Sequence, residues 1–145
     1  MPTTRRSRTV ADVPDRVWET VSDPYHLPRW WPRVERVEAV SGDHFTEVLT
    51  TDRGRSVRAD FRVVESRAPE RRVWEQEVAG SPFERIMVSA RFEVALAPDD
   101  GGTRVTLAVR QQMRGTARFA GWIVRRGTRR VLDEALGALG SLHGA

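Results

Sequence analysis

Three histidines and twenty carboxylates supply the acid–base groups of this sequence, which contains no cysteine and no lysine. The missing cysteine excludes disulfides, thiolate nucleophiles and Cys-bound zinc, and the missing lysine excludes Schiff-base chemistry. His26 and His44 are not spaced as metal ligands, and His143 lies in a tail that we expect to fray. Phosphate-binding and metalloprotease motifs are absent as well. We therefore expect no metal and no cofactor.

Two residues are candidates for proton transfer. His26 follows Tyr25 at the mouth of the cavity predicted below, where the two could act as an acid–base pair. A surface histidine in a capped short helix is the alternative interpretation. Glu47 points inward if Phe45 does, but we prefer the register that places Val48 inside and Glu47 in solvent. His26 and Glu47 are therefore catalytic candidates without an assigned role.

Two glutamines, Gln76 and Gln111, interrupt strands whose inward positions are otherwise apolar. A buried amide must form hydrogen bonds, because an unpaired one costs about 1–3 kcal/mol. A neighbouring side chain or a water molecule could satisfy each amide. The alternative is a carbonyl or hydroxyl group of a ligand, which Gln76 and Gln111 would then orient.

The alternation of apolar and polar residues predicts seven strands, which must position these side chains. They cover residues 3–10, 34–40, 45–51, 55–64, 72–78, 86–96 and 104–113. In the sixth strand the apolar face consists of Ile86, Val88, Ala90, Phe92, Val94 and Leu96. Strands that are apolar on one face and polar on the other are typical of an antiparallel sheet with one solvated side.

Helical segments flank these strands. Residues 12–34 contain two short helices between the first and second strands, with prolines that start or stop them. Trp30 and Trp31 are adjacent, and neighbouring helical side chains point about 100° apart. We therefore expect one ring to anchor the core and the other to face a rim or cavity. The segment 116–142 is long enough to cover the sheet, and its second half has helical apolar periodicity.

The residues 13–34 resemble a known family signature. An apolar–Trp pair, a Ser-Asp-Pro stop and Leu-Pro-Arg-Trp leading into a strand are similar to the opening of the START-like, helix-grip superfamily. The branch it resembles is the polyketide cyclase/dehydrase and lipid-transport group. The resemblance implies an α+β, helix-grip fold of order β-α-α-β6-α, with a curved antiparallel seven-stranded sheet around a long C-terminal helix. Residues 1–145 would form a single START-like ligand-binding domain.

The resemblance also implies a cavity between the sheet and the C-terminal helix. Strand parity gives the predicted lining from the sheet as Phe61, Trp74, Gln76, Ile86, Val88, Phe92, Val109, Gln111 and Met113. The helices are expected to contribute Leu27, Trp30 or Trp31, Phe119, Trp122 and Ile123. The leading hypothesis is that this cavity binds a small, largely apolar molecule such as an aromatic polyketide or a lipid. A polyketide cyclase or dehydratase using the same cavity is the second hypothesis, and it rests on analogy of fold.

The net charge of +4 is unevenly distributed. The segment Arg114–Arg130 contains six arginines and no acid, so it could attract phosphates or an anionic surface as an interaction module. A solvated outer face of a helix is the alternative. We expect no specific nucleic acid as partner, because exposed aromatic residues are not interleaved with these arginines.

No apolar run is long enough to span a membrane, and the first residues do not resemble a secretory leader. We therefore expect a cytoplasmic protein without a membrane span, whose partner is a small hydrophobic molecule. The sequence leaves open whether it forms a homodimer.

Overall fold

The described chain forms seven strands and three helices. The computed structural model describes residues 3–115 and 121–144. The strands are β1 (Thr3–Val10), β2 (Val34–Ser41), β3 (His44–Thr50), β4 (Ser56–Arg67), β5 (Arg71–Gln76), β6 (Met87–Asp99) and β7 (Gly102–Met113). The helices are α1 (Pro14–Val21), α2 (Leu27–Trp30) and α3 (Gly121–Leu142), and short 3-10 turns lie at Pro24–His26 and Pro82–Arg85.

The seven strands form one antiparallel sheet in the spatial order β1-β7-β6-β5-β4-β3-β2. Consecutive strands are neighbours from β2 to β7, and β1 completes one edge by pairing with β7. Helix α3 packs mainly against β1, and it also contacts β7 and α2. The predicted helix-grip architecture, with a curved sheet and a long C-terminal helix, is confirmed.

The face of the sheet that α3 covers, called the inner face below, carries the hydrophobic core. Val109, Phe92 and Trp74 are direct cross-strand neighbours on this face, and Phe45 and Phe61 form another pair. All five side chains belong to, or pack against, one core cluster. Burial of one face while the other stays polar is what produces the alternation in the sequence.

The prediction for the start of β6 is wrong. Ile86 and Val88 were expected on the inner face with Phe92, but they are 49% and 42% exposed. The register of β6 with β7 shifts between Met87 and Ser89, which marks a β-bulge. The extra residue reverses the parity, so Met87 is buried instead of Val88. Ile86 precedes the strand and ends the 3-10 turn.

Helix α3 is buried only along its second half. Its buried residues are Leu132, Ala135, Leu136, Leu139 and Gly140. Trp122 and Ile123 were predicted to line the cavity, but they are 63% and 54% exposed. Trp122 is exposed because it lies beside the first residues of β1, which is the edge strand of the sheet that the described residues form. Phe119 lies outside the described residues.

The register that we preferred for Glu47 is also wrong. Glu47 lies on the inner face with Phe45, between the cross-strand residues Val37 and Ala59. Val48 is fully buried as well, but on the outer face, where arginines of both neighbouring strands flank it. Because both faces of β3 bury apolar residues, alternation alone could not choose between the two registers.

Candidate functional site

Six aromatic side chains form one continuous group on the inner face. This aromatic cluster consists of Trp30, Trp31, Phe45, Phe61, Trp74 and Phe92. The ring of Trp31 meets Trp74 and Phe92 edge-on, with centroid distances of 6.3 and 5.7 Å. Trp74 stacks on Phe92 at 5.9 Å, and Phe45 stacks on Phe61 at 5.4 Å. Edge-on and stacked pairs at these distances are favourable, so the rings stabilise one another.

The two adjacent tryptophans have different surroundings. Trp30 is 1% exposed and belongs to the core, whereas Trp31 is half-buried. Their rings are 5.5 Å apart and nearly perpendicular. Trp31 therefore lies between the core and the surface.

A small crevice lies between the short helices and the inner face. Its volume is about 10 Å³, and it is lined by Val21, Pro24, Leu27, Phe45, Arg72 and Trp74. Sites for small molecules usually have volumes of about 300–1,000 Å³. A small molecule therefore fits this crevice only if lining side chains such as Trp74 move aside.

Two buried polar atoms in this region lack a hydrogen-bond partner among the described residues. They are Trp30 Nε1 and Gln76 Nε2. Gln76 is the cross-strand neighbour of Phe61, so its amide lies beside the aromatic cluster. An unsatisfied buried donor costs about 1–3 kcal/mol. The fold therefore keeps two costly donors in its interior.

Glu47 is the third unusual polar group on the inner face. Its side chain is buried, and burial raises the pKa of its carboxyl group to about 8. No hydrogen bond or ion pair joins Glu47 to another described residue. The carboxyl group is consequently protonated at neutral pH, and in that state it is a hydrogen-bond donor.

Gln111 differs from Gln76. Its Oε1 lies 3.3 Å from Thr128 Oγ1, and the single hydroxyl proton of Thr128 is shared between this oxygen and the carbonyl oxygen of Val124 in α3, at 2.9 Å. This bond connects β7 to α3. Gln111 therefore has a partner within the fold, whereas the amide nitrogen of Gln76 has none among the described residues.

His26 is held by local contacts. Its Nδ1 lies 3.1 Å from the carbonyl oxygen of Glu19, at the end of α1, and its Nε2 lies 3.7 Å from Asp23. Asp23 in turn accepts a hydrogen bond from the backbone nitrogen of Tyr25. Both ring nitrogens of His26 thus have neighbours within residues 19–26.

Arg72 is an inner-face residue that the sequence analysis missed. It lies two residues before Trp74 on β5 and lines the crevice. Partial burial lowers the pKa of its guanidinium, while the charges of Asp43 and Asp23 act in the opposite direction. Its Nη1 donates to Ser66 Oγ at 3.3 Å. In β5 every second residue faces inward, so the alternation that places Trp74 on the inner face also places Arg72 there, two residues earlier.

The remaining predicted lining residues lie in two places. Leu27 and Val109 are buried in the main core. Met113 packs against a second, smaller cluster that includes Val78 and Met87. The structure therefore brings together the aromatic residues, Leu27 and Gln76, and Phe92 packs against both clusters and so connects them to the one that Met113 contacts.

The described residues contain no group of three or more histidine, cysteine, aspartate or glutamate side chains that could hold a metal ion. Nor do the described residues include a helix that is long and apolar enough to cross a membrane.

The architecture and the apolar inner face define a protein of the helix-grip, START-like class. The chain belongs to the polyketide cyclase/dehydrase and lipid transport family, whose model matches residues 1–143. No curated protein is similar enough in sequence to count as a match.

Solved structures share this fold at low sequence identity. A START superfamily protein from Mycobacterium smegmatis has a TM-score of 0.80 and 12% identity, covering 98% of this chain and 97% of its own. The di-domain ARO/CYC StfQ from the steffimycin biosynthetic pathway has a TM-score of 0.79 and 15% identity over 98% of this chain. This chain spans about half (50%) of StfQ. A conserved protein from Geobacillus kaustophilus has a TM-score of 0.77 and 15% identity, covering 99% and 95% of the two chains.

Proposed function

We propose that this protein, as a single domain, binds a small, largely apolar ligand on the inner face of the sheet. The ligand would occupy the region that Trp31, Trp74 and Phe92 now fill. Gln76, Glu47 and Trp30 would bind its polar groups. The observation that carries this proposal is the buried amide nitrogen of Gln76, which has no partner among the described residues.

The two donors without a described partner and the buried carboxyl group of Glu47 have the same hydrogen-bonding character. The Gln76 amide nitrogen and the Trp30 indole nitrogen are donors, and the protonated carboxyl group of Glu47 is a donor as well. Three inward donors require a ligand that carries acceptors. An apolar or aromatic skeleton with several carbonyl oxygens meets this requirement, and a polyketide chain is a molecule of this kind.

Access to the site would depend on Trp31. The remaining crevice of about 10 Å³ admits no ligand, and Trp31 is the half-buried ring that contacts both Trp74 and Phe92. Rotation of Trp31 away from these rings would expose their edges to a ligand. The aromatic contacts that the rings lose would be replaced by contacts with the ligand, so the exchange is favourable only for an apolar molecule.

The test compares Gln76→Leu with the matched variant Gln111→Leu. Gln76→Leu removes a donor without a protein partner, so it should leave stability unchanged or raise it while weakening the binding of an aromatic ketone such as 2-acetylnaphthalene. Gln111→Leu removes an amide whose oxygen has a partner within the fold, Thr128, so it should lower stability by about 1 kcal/mol with little effect on the ketone. Thermal melts with and without the ketone measure both quantities.

The opposite pattern would contradict the proposal: Gln76→Leu would lose stability and bind the ketone as the unmodified protein does. Native mass spectrometry of freshly purified protein gives a second test. A co-purifying molecule with carbonyl groups and an apolar skeleton is the expected result.

A polyketide cyclase or dehydratase activity is the second candidate, and the raised pKa of Glu47 favours it. A carboxylic acid that is protonated near pH 7 can donate a proton to a carbonyl oxygen as a carbon–carbon bond forms, or to a hydroxyl group that leaves as water. Glu47→Gln should then abolish turnover of a poly-β-ketone thioester while preserving its binding. Equal turnover by both proteins would exclude Glu47 as the acid.

A further inference from the structure

The exposed first half of α3 carries two parallel rows of side chains, each made of one large apolar residue and two arginines. Trp122, Arg125 and Arg129 follow one another at spacings of three and four residues, which places them along one line of the helix. Ile123, Arg126 and Arg130 form the adjacent row, about 100° around the helix. Each row therefore begins with an apolar residue and continues with two arginines.

The edge strand β1 extends this surface. Two grooves lie between β1 and α3, and Arg6 and Arg129 line both of them, whereas Arg5 lines one. The grooves have volumes of about 470 and 590 Å³. We call this surface, made of Arg5, Arg6 and residues 122–130 of α3, the arginine face.

The arginine face and the two acids beside it together account for the net charge of the protein. Its two grooves are lined by six arginines and two acids, Asp133 and Glu134. Their net charge is +4, which equals that of the whole chain, so the remaining residues sum to zero. Among the described residues, Arg6 alone of the six arginines forms an ion pair, with Asp133 at 2.9 Å. The positive potential is thus concentrated on one side of the molecule.

The two apolar residues at the start of the rows are unusually exposed. Trp122 and Ile123 are 63% and 54% accessible, although their side chains are large and they sit beside charged groups. The ligand site proposed above does not use them. A surface that joins exposed apolar side chains with unpaired arginines is complementary to a partner that offers both anionic groups and hydrocarbon.

We propose that the arginine face docks on an anionic lipid membrane surface, with Trp122 and Ile123 inserted at the headgroup boundary and the arginines bound to lipid phosphates. Tryptophan is enriched at this boundary, and arginine side chains attract anionic lipids. A nucleic acid would also attract the arginines and could stack on Trp122. Ile123 cannot stack on bases, however, and its exposure beside Trp122 favours hydrocarbon.

Flotation with vesicles tests the docking. The full chain should bind vesicles made of equal parts phosphatidylglycerol and phosphatidylcholine at low salt, and it should bind pure phosphatidylcholine much more weakly. The double variant Arg125→Ala/Arg129→Ala should weaken binding about 25-fold, at roughly fivefold for each arginine. Trp122→Ser/Ile123→Ser should weaken it at least about fivefold. All four positions are exposed, so circular dichroism and thermal melts should be unchanged.

The control variant is Arg53→Ala/Arg55→Ala, which removes the same charge from the exposed turn between β3 and β4. It should weaken vesicle binding no more than about twofold. Equal losses in the two arginine variants would overturn the proposal, since net charge alone would then explain binding. Binding of a single-stranded oligonucleotide but not of vesicles would overturn it as well. Neither result tests the ligand site proposed above on the inner face, because none of these variants alters Gln76 or Glu47.

Discussion

His143 Nδ1 lies 2.9 Å from Asp12 Oδ2 and thereby ties the end of α3 to the loop before α1. The other ring nitrogen of His143 lies 2.9 Å from Thr20 Oγ1 on α1. These two contacts bury His143, although we expected its segment to fray. The end of α3 is therefore fixed by polar contacts, in addition to the apolar contacts of its inner side.

The contact between Asp12 and His143 makes stability depend on pH. The hydrogen bond from His143 holds the pKa of Asp12 below its ordinary value of 3.8. A carboxyl group with a lowered folded-state pKa stabilises the fold above its unfolded pKa, and this contribution is lost as the pH falls through the folded value. Asp12→Asn should therefore lower the Tm at neutral pH, and its difference from the unmodified protein should shrink below about pH 4. Thermal melts across this range measure the effect, with Asp15→Asn as an exposed control.

Glu47 should produce the opposite dependence on pH. Burial raises its pKa from 4.5 to about 8, so the folded protein holds a proton that the unfolded chain releases. The free energy of unfolding should then fall between these two pH values, by up to about 1.4 kcal/mol per pH unit. Glu47→Gln should remove this slope. Denaturant unfolding at several pH values checks the prediction, and Glu75→Gln, on the outer face of β5, should keep the slope.

Leu139→Ala should destabilise the fold severely. Leu139 is fully buried in the main core, and removal of a buried leucine side chain costs about 2–5 kcal/mol. Leu142, three residues further along α3, is 46% exposed, and Leu142→Ala should cost less than about 1 kcal/mol. Chemical denaturation of both variants measures the loss in the free energy of unfolding. Similar losses in the two would mean that Leu139 does not anchor α3 to the sheet.

Trp31→Ala should open the proposed site. Trp31 is half-buried, so its removal should cost about 3 kcal/mol, at the lower end of the range for large aromatic residues. The space it leaves is lined by Trp74 and Phe92 and should bind apolar molecules, as apolar cavities do. We expect tighter binding of 2-acetylnaphthalene by this variant in a calorimetric titration. Weaker binding would show that Trp31 contacts the ligand and does not block it.

Much of the fold could be predicted from the sequence because its signals are local. The alternation along β5 and β7 placed Trp74 and Val109 on the inner face, where the structure has them. The helical apolar periodicity of the second half of segment 116–142 coincides with the part of α3 that is buried, which includes Leu136 and Leu139. In such segments each side chain's direction follows from its distance along one element, and no information about a neighbouring element is needed.

The candidate site depended on relations between elements, which only the tertiary structure decided. The pairing of β6 with β7 changes register at Val88. This bulge places Met87 on the inner face, where alternation had predicted Val88. Glu47 is inward because β3 pairs with β2 and β4 in the register that the sequence analysis did not prefer. Gln76 and Gln111 look alike in the sequence, but only Gln111 meets Thr128 across the gap to α3. Alternation fixes the two faces of a strand, whereas pairing and packing between elements decide which polar groups are left without a partner.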